Sequence, residues 1–240
     1  VVIRITNKCL MGCSHCMIDS KPDGSNMNDL VFEQCLGFVD RIKPKVLIIS
    51  GGEPTMHPNI VEWVNKLKHP RRMIILASNG MFLEDGEMIE KIKGLCDSDF
   101  FMVQITNDKK YYPKKIKIVN LPGFVYIDKI EVMSNNGRAK QNKLNITRNS
   151  PMCFNLRSIA RSGQVSDLKE AITLLESRHK FCQPSINYDG TISAGESSDC
   201  HIIGNMYDSN EDIFNNLRSM KCDNCNSLKN LSVLHRNCIE

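Results

Sequence analysis

The sequence predicts an α/β fold: a partial (β/α)6-type TIM barrel with a small cysteine-rich C-terminal annex containing a β-hairpin. Three observations predict it. Short apolar runs alternate with stretches of helical periodicity through the first half of the chain. Chemically unusual residues follow directly after successive apolar runs, where parallel α/β sheets bind their ligands. The helical pattern then breaks near Asn107, so only five or six strand units fit before Cys153. A complete eight-stranded barrel takes about 250 residues.

The elements follow in order. Val1–Ile5 and Lys45–Ile49 read as strands, and between them Leu30, Val31, Cys35, Phe38, Val39 and Ile42 recur at helical spacing, with Asn28 or Asp29 as the cap. A second helix carries Ile60, Val61, Val64 and Leu67 on one face, followed by a strand at Met73–Ala77. Met88, Ile89, Ile92 and Leu95 mark a third helix, Phe100–Ile105 a fourth strand, and Val125 to Met133 contains a fifth. The strands are nearly all apolar, which predicts helices on both faces of the sheet. Beyond the break, Leu168, Ala171, Ile172 and Leu175 mark a helix, "SINYDGTIS" (Ser185–Ser193) a hairpin turned by Asp-Gly, and Asp212–Met220 a last helix. Residues 1–150 are therefore read as the core, and 151–240 as the annex, placed to complete the barrel.

Composition narrows the class. At 41% hydrophobic and 24% charged, the 240 residues are ordinary for a globular protein. A net charge of +4 is too mild to imply nucleic-acid binding, although Lys109, Lys110, Lys114, Lys115 and Lys117 form a local basic cluster, a solvated loop or a site for a phosphate-bearing or acidic substrate. No apolar run reaches the length of a membrane span and no secretory signal is evident, which predicts a cytoplasmic protein without a membrane partner. Eleven cysteines, an odd count, fit thiolates that bind metal in a reducing compartment rather than a disulfide scaffold.

Cys9, Cys13 and Cys16 are the first such group, spaced C-x3-C-x2-C in "TNKCLMGCSHCM" (Thr6–Met17). Three thiolates can hold three irons of a [4Fe–4S] cube and leave the fourth open to another ligand. A zinc knuckle completed by His15 is the competing reading. One strand later comes "ISGGEPTMHPNI" (Ile49–Ile60), then "SNG" (Ser78–Gly80), "TND" (Thr106–Asp108) and "GRA" (Gly137–Ala139).

In these motifs, over about the first 140 residues, the sequence resembles the radical S-adenosylmethionine (SAM) superfamily. The resemblance implies that Cys9, Cys13 and Cys16 ligate a [4Fe–4S] cluster and that the amino and carboxylate groups of SAM chelate the open iron. It implies that Gly51 and Gly52 admit the methionyl ammonium, that Glu53 accepts its hydrogen bond, and that Pro54 stiffens the turn. His15 stands where the family carries an aromatic residue beside the adenine. Ser78, Asn79, Gln104, Thr106 and Asp108 fall where the family contacts the methionyl and ribose groups, and Arg138 where it can meet the SAM carboxylate. The implied activity is reductive cleavage of SAM to a 5′-deoxyadenosyl radical that abstracts hydrogen from a substrate, with an external one-electron reductant.

The C-terminal Cys182, Cys200, Cys222 and Cys225 resemble the twitch or SPASM annex of such enzymes and imply a second iron–sulfur cluster; a structural zinc uses the same ligands. Cys153 and Cys238 are substitute ligands. Such annexes are frequent in enzymes that modify peptides or protein side chains, and occur in some that act on small molecules, which makes a peptide the first expected substrate. A nucleoside or nucleic-acid-linked substrate is the alternative, through the lysines and a stacking role for Tyr111 and Tyr112. Glu196 in "AGES" is a further residue that can reach the substrate. A non-enzymatic zinc or electron-transfer module explains the cysteines but leaves the GGEP stretch without a role.

Overall fold

The computed structural model describes residues 1–128, 136–144, 154–177, 181–196 and 199–221. Cys153, Cys222, Cys225, Cys238 and the end of the expected fifth strand lie outside them.

The first half alternates strand and helix as expected: β1 (Val2–Thr6), α1 (Asp29–Ile42), β2 (Val46–Gly51), α2 (Ile60–Leu67), β3 (Met73–Ser78), α3 (Gly86–Leu95) and β4 (Phe101–Thr106). Local chemistry sets the boundaries. Asn28 caps α1 by accepting the Val31 N–H, Asp29 and Arg41 suit the two ends of the helix dipole, and Lys43 closes it in the left-handed region at φ 54°. Asp85 caps α3 through the amides of Glu87 and Met88. A loop without a helix leads from β4 to β5 (Phe124–Ile127), where Pro113 and Pro122 break the pattern. The second half holds α4 (Gly137–Gln141), β6 (Phe154–Asn155), α5 (Leu156–Arg161), α6 (Leu168–Glu176), β7 (Phe181–Cys182), β8 (Ser185–Ile186), β9 (Thr191–Ser193), β10 (Ile202–Asn205) and α7 (Asn210–Ser219).

The main sheet is open, in the order β10-β9-β8-β1-β2-β3-β4-β5. Strands β1 to β5 and β8 are mutually parallel; β9 pairs antiparallel with β8, and β10 antiparallel with β9. The hairpin β8–β9 therefore extends the same sheet from the far side of β1. Strands β6 and β7 form a separate parallel pair.

One face of the sheet packs into the core with Phe32, Phe38, Trp63, Val64, Ile92 and Leu95 of the helices. Among the described residues the expectation of helices on both faces is not met. Along β2, β3 and β4 buried residues alternate with half-buried ones, so Ile48, Ile75 and Met102 share a second face with polar Ser50, Gln104 and Thr106. On β1 that face carries Arg4 and Thr6. The sequence misleads here because the second face is itself apolar at its deeper positions, which hides the period of two.

Candidate active site

The cluster loop starts where β1 ends. Gly12 takes a φ of +70°, which lets the chain double back between Cys9 and Cys13. Hydrogen bonds then hold the loop from several sides. Cys9 donates its amide to the Lys21 carbonyl at 2.9 Å, and the Glu53 amide donates to the Lys8 carbonyl at 2.7 Å. Ser14 donates to the Tyr111 carbonyl, Arg138 donates its amide to the Cys16 carbonyl at 2.9 Å, and Asn142 Nδ2 donates to the Ser14 carbonyl at 2.7 Å. The Arg138 guanidinium adds a bond to the Ser20 carbonyl at 3.0 Å and lies 3.7 Å from Asp19.

Beside this loop is a cavity of about 280 Å³. It brings together Cys9, Cys13, Cys16, His15, Gly51, Gly52, Ser78, Asn79, Thr106 and Arg138, residues from four strand ends and from α4. Pro54, Gln104 and Asp108 are not among the lining residues. Pro54 opens a short 3-10 turn, Gln104 lies one step deeper on β4, and buried Asp108 accepts the amides of Lys110 and Tyr111 to shape the next loop.

Some of the expected residues also have roles within the fold itself. Glu53 is not among the residues that line the cavity. Its buried carboxylate accepts from Thr55 N at 3.2 Å, Thr55 Oγ1 at 2.6 Å, Ser78 Oγ at 2.8 Å and the Asn79 N–H at 2.8 Å. Burial pushes its pKa up, against the pull of these donors. Glu53 thus ties the end of β2 to the end of β3. The glycines are also required by the protein itself. A Cβ on Gly51 would meet the Thr6 carbonyl oxygen at 2.2 Å, and one on Gly52 the Lys8 carbonyl oxygen at 2.0 Å. They let β2 and the cluster loop touch backbone to backbone.

The environment of the thiols fits an iron–sulfur cluster. Cys9 and Cys13 are buried beside Met11, with Met81, Tyr112 and Ile116 packed against them. Burial and the neighbouring cysteine thiolates push the Cys13 thiol up to about 12, and Arg138 pulls it down. Bound iron reverses that order, because a coordinated thiol is deprotonated outright. Asn79 Nδ2 donates to Cys9 Sγ at 3.4 Å, the kind of contact that tunes cluster potentials. No three His, Cys, Asp or Glu side chains among the described residues converge as a single ion requires. A cube does not require it, since each thiolate binds a different iron. The His15 ring lies 5.0 Å from that of Tyr111 and 6.0 Å from that of Tyr112. Its Nδ1 is buried with no hydrogen-bond partner among the described residues, a polar atom left for a bound group.

A model of the radical SAM superfamily matches residues 3–147. The chain belongs to the radical SAM superfamily. Membership brings a [4Fe–4S] cluster and SAM as the bound groups, and the thiols, the Asn79 amide and the glycine-walled cavity suit them. Among curated proteins, an Fe-coproporphyrin III synthase of Methanosarcina barkeri is 30% identical over 96 residues, 39% of this chain and 24% of its own. A probable GTP 3′,8-cyclase of Methanocaldococcus jannaschii is 32% identical over 96 residues, 38% of this chain and 31% of its own. The chain thus spans between about a quarter and a third of these relatives' lengths. Among solved structures, Streptococcus suis SuiB bound to the precursor peptide SuiA shares the fold with a TM-score of 0.51 at 12% identity, over 95% of this chain and 69% of its own. Native anSMEcpe with bound AdoMet and Cp18Cys peptide gives a TM-score of 0.50 at 14% identity, over 93% of this chain and 86% of its own.

Arg4, Ser50, Met17 and Ile18 also line the cavity, and the sequence did not assign them to it; Tyr112, expected to stack on a base, lines it too. Arg4 carried a signal, a charge in the middle of the apolar run VVIRIT. Arg4 and Ile18 also line a second cavity of about 220 Å³, bounded by Thr6, Asn187, Tyr188, Thr191 and Ser193 of β1 and the hairpin. Glu196 reaches the first cavity, where it accepts the Gln183 amide at 3.0 Å; burial pushes its carboxyl up while Arg4 pulls it down. In the annex, Cys200 lies just before β10 and Cys182 within β7. Among the described residues no helix is long and apolar enough to cross a membrane.

Proposed function

We propose that this chain carries the core of a radical SAM enzyme that modifies a peptide or protein side chain. The observation that carries the reading is the opening of Cys9, Cys13 and Cys16 onto one cavity with Gly51, Gly52 and the strand-end polar groups. When bound, the cluster and SAM supply one-electron cleavage of a sulfonium and hydrogen-atom abstraction at an unactivated carbon.

The chain's own residues prepare that step. Cys9, Cys13 and Cys16 hold three irons, while Met11, Met81, Tyr112 and Ile116 keep water from the thiolates. Ser78, Asn79 and Thr106 offer hydroxyl and amide groups to SAM, and Arg138 faces its carboxylate. The substrate occupies the second cavity, reached past Arg4 and walled by the hydroxyls and amides of the hairpin. Likeness in fold to two proteins solved with bound peptides supports the peptide substrate. A nucleoside-linked substrate is the second reading, favoured by Tyr112 in the cavity wall and by the similarity to a probable GTP 3′,8-cyclase. Cys182, Cys200, Cys222 and Cys225 hold an auxiliary iron–sulfur cluster or a zinc ion, and the electron comes from an external reductant.

Anaerobic reconstitution with iron and sulfide, followed by SAM and dithionite, tests the reading. Release of 5′-deoxyadenosine, increased by a peptide pool, is the expected result. Bound zinc with no iron and no 5′-deoxyadenosine overturns the radical chemistry; stimulation by nucleotides alone overturns the peptide substrate.

A further inference from the structure

The loop between β4 and β5 holds the basic cluster that the active site leaves unused. Lys109, Lys110, Lys114, Lys115 and Lys117 are all exposed, and the one acidic residue of the loop, Asp108, is buried. Five lysines against one aspartate leave a local surplus of four positive charges, which equals the +4 of the whole 240-residue chain. The formal charges of the rest of the chain therefore balance in sum, and this loop carries a local positive surplus. Among the described residues none of the five lysines forms an ion pair; the Lys110 ammonium lies 4.9 Å from the Tyr111 ring.

This loop is also in direct contact with the cysteine loop. The Tyr111 carbonyl accepts the Ser14 N–H, so one hydrogen bond and one residue step lead from Tyr111 to Cys13. Tyr112 packs against the Cys9–Cys13 group, and both tyrosine rings lie against His15. The two loops expose Leu10, beside Cys9, and Ile118. The loop that carries the lysines thus meets the cysteine loop through Tyr111, Tyr112 and Ser14.

We propose that the 109–118 loop is the docking site for the electron donor, a small acidic one-electron carrier protein. The inference rests on the radical SAM reading, which requires one electron from outside the chain. The carrier is oxidised by one electron and the cluster is reduced by one, and no bond of this chain is made or broken. The lysines steer an acidic partner to the site, and the exposed Leu10 and Ile118 provide apolar contact for a small, short-lived interface. An acidic partner fits better than a nucleic acid because the tyrosines are turned onto His15 and the cysteine loop, away from stacking on exposed bases.

The test uses the reconstituted protein and flavodoxin, an acidic flavin-bearing carrier. Binding is measured by calorimetry over rising salt, beside a triple variant Lys109→Glu, Lys114→Glu, Lys115→Glu and its glutamine counterpart. The expected result is affinity that falls steeply with salt and is weakened about tenfold or more by the glutamate variant, less by the glutamine one. Dithionite-driven release of 5′-deoxyadenosine and Trp63 fluorescence stay at the wild-type level in both variants. Flavodoxin binding that ignores salt and the substitutions overturns the inference. So does tighter binding to single-stranded RNA that the variants abolish, which marks a nucleic-acid site. Failure of the wild type to cleave SAM with dithionite fails the radical SAM reading itself, and the docking inference with it.

Discussion

Replacing Glu53 with glutamine tests the bracing role assigned to its carboxylate. Glutamine keeps the shape and one carbonyl oxygen, which can serve the three donors now on Oε1, from Thr55 N, Thr55 Oγ1 and Ser78 Oγ. The other atom becomes an NH2 group facing the Asn79 N–H, which donates to Oε2 at 2.8 Å. A buried donor left unpaired costs about 1–3 kcal/mol, so Glu53→Gln is expected to lose about that much stability. Glu53→Ala strands two amides, those of Thr55 and Asn79, and is expected to lose roughly 2–6 kcal/mol. The hydroxyls of Thr55 and Ser78 add less, because they can rotate to other acceptors. Urea unfolding followed by Trp63 measures this directly: it is the sole tryptophan, fully buried and stacked on Phe32 at 4.0 Å. Asn79 also donates to Cys9, so iron retention after reconstitution should fall along with stability. If Glu53→Gln is as stable as the wild type, the carboxylate is not the brace described here. A selective loss of SAM affinity with unchanged stability would return Glu53 to the role of an ammonium acceptor.

Gly52→Ala should abolish cluster retention, because its Cβ would meet backbone at Lys8; iron analysis of reconstituted protein checks it. His57 gives a pH dependence. Its Nε2 lies 3.0 Å from the Met27 carbonyl and its Nδ1 accepts the Asn59 amide at 3.1 Å, which fixes the neutral ring, and burial holds its pKa below the ordinary 6.5. Below about pH 6.5 the unfolded chain takes up a proton that the native state refuses, so stability falls as pH falls. His57→Asn should remove that part of the slope in urea titrations at pH 7.5 and 5.5. Alanine at Cys222 and Cys225 together should lower total iron while leaving the site at Cys9, Cys13 and Cys16 filled; unchanged iron excludes an auxiliary cluster there.

The order of strands and helices and the identity of the cluster loop were legible in one dimension. Asn28 and Asp85 cap helices through contacts within three residues, and Asp189-Gly190 turns the hairpin within its own segment. Cys9, Cys13 and Cys16 lie on one short loop, so their spacing alone joins them to a common site. Only the tertiary structure decided what stands opposite that loop. Arg4 and Glu196 are separated by most of the chain and meet at one cavity because β8 pairs with β1. Tyr112 enters the wall because an Asx turn at Asp108 folds its loop back onto the cysteines. Glu53 shows the limit most plainly. Its sequence position places it in the motif, but its four donors come from residues up to 26 positions away, and only their convergence shows that the carboxylate braces two strand ends. Spacing determines which residues share a loop or a face; the direction of a side chain at a strand end depends on which distant donors the packed sheet brings within hydrogen-bond reach.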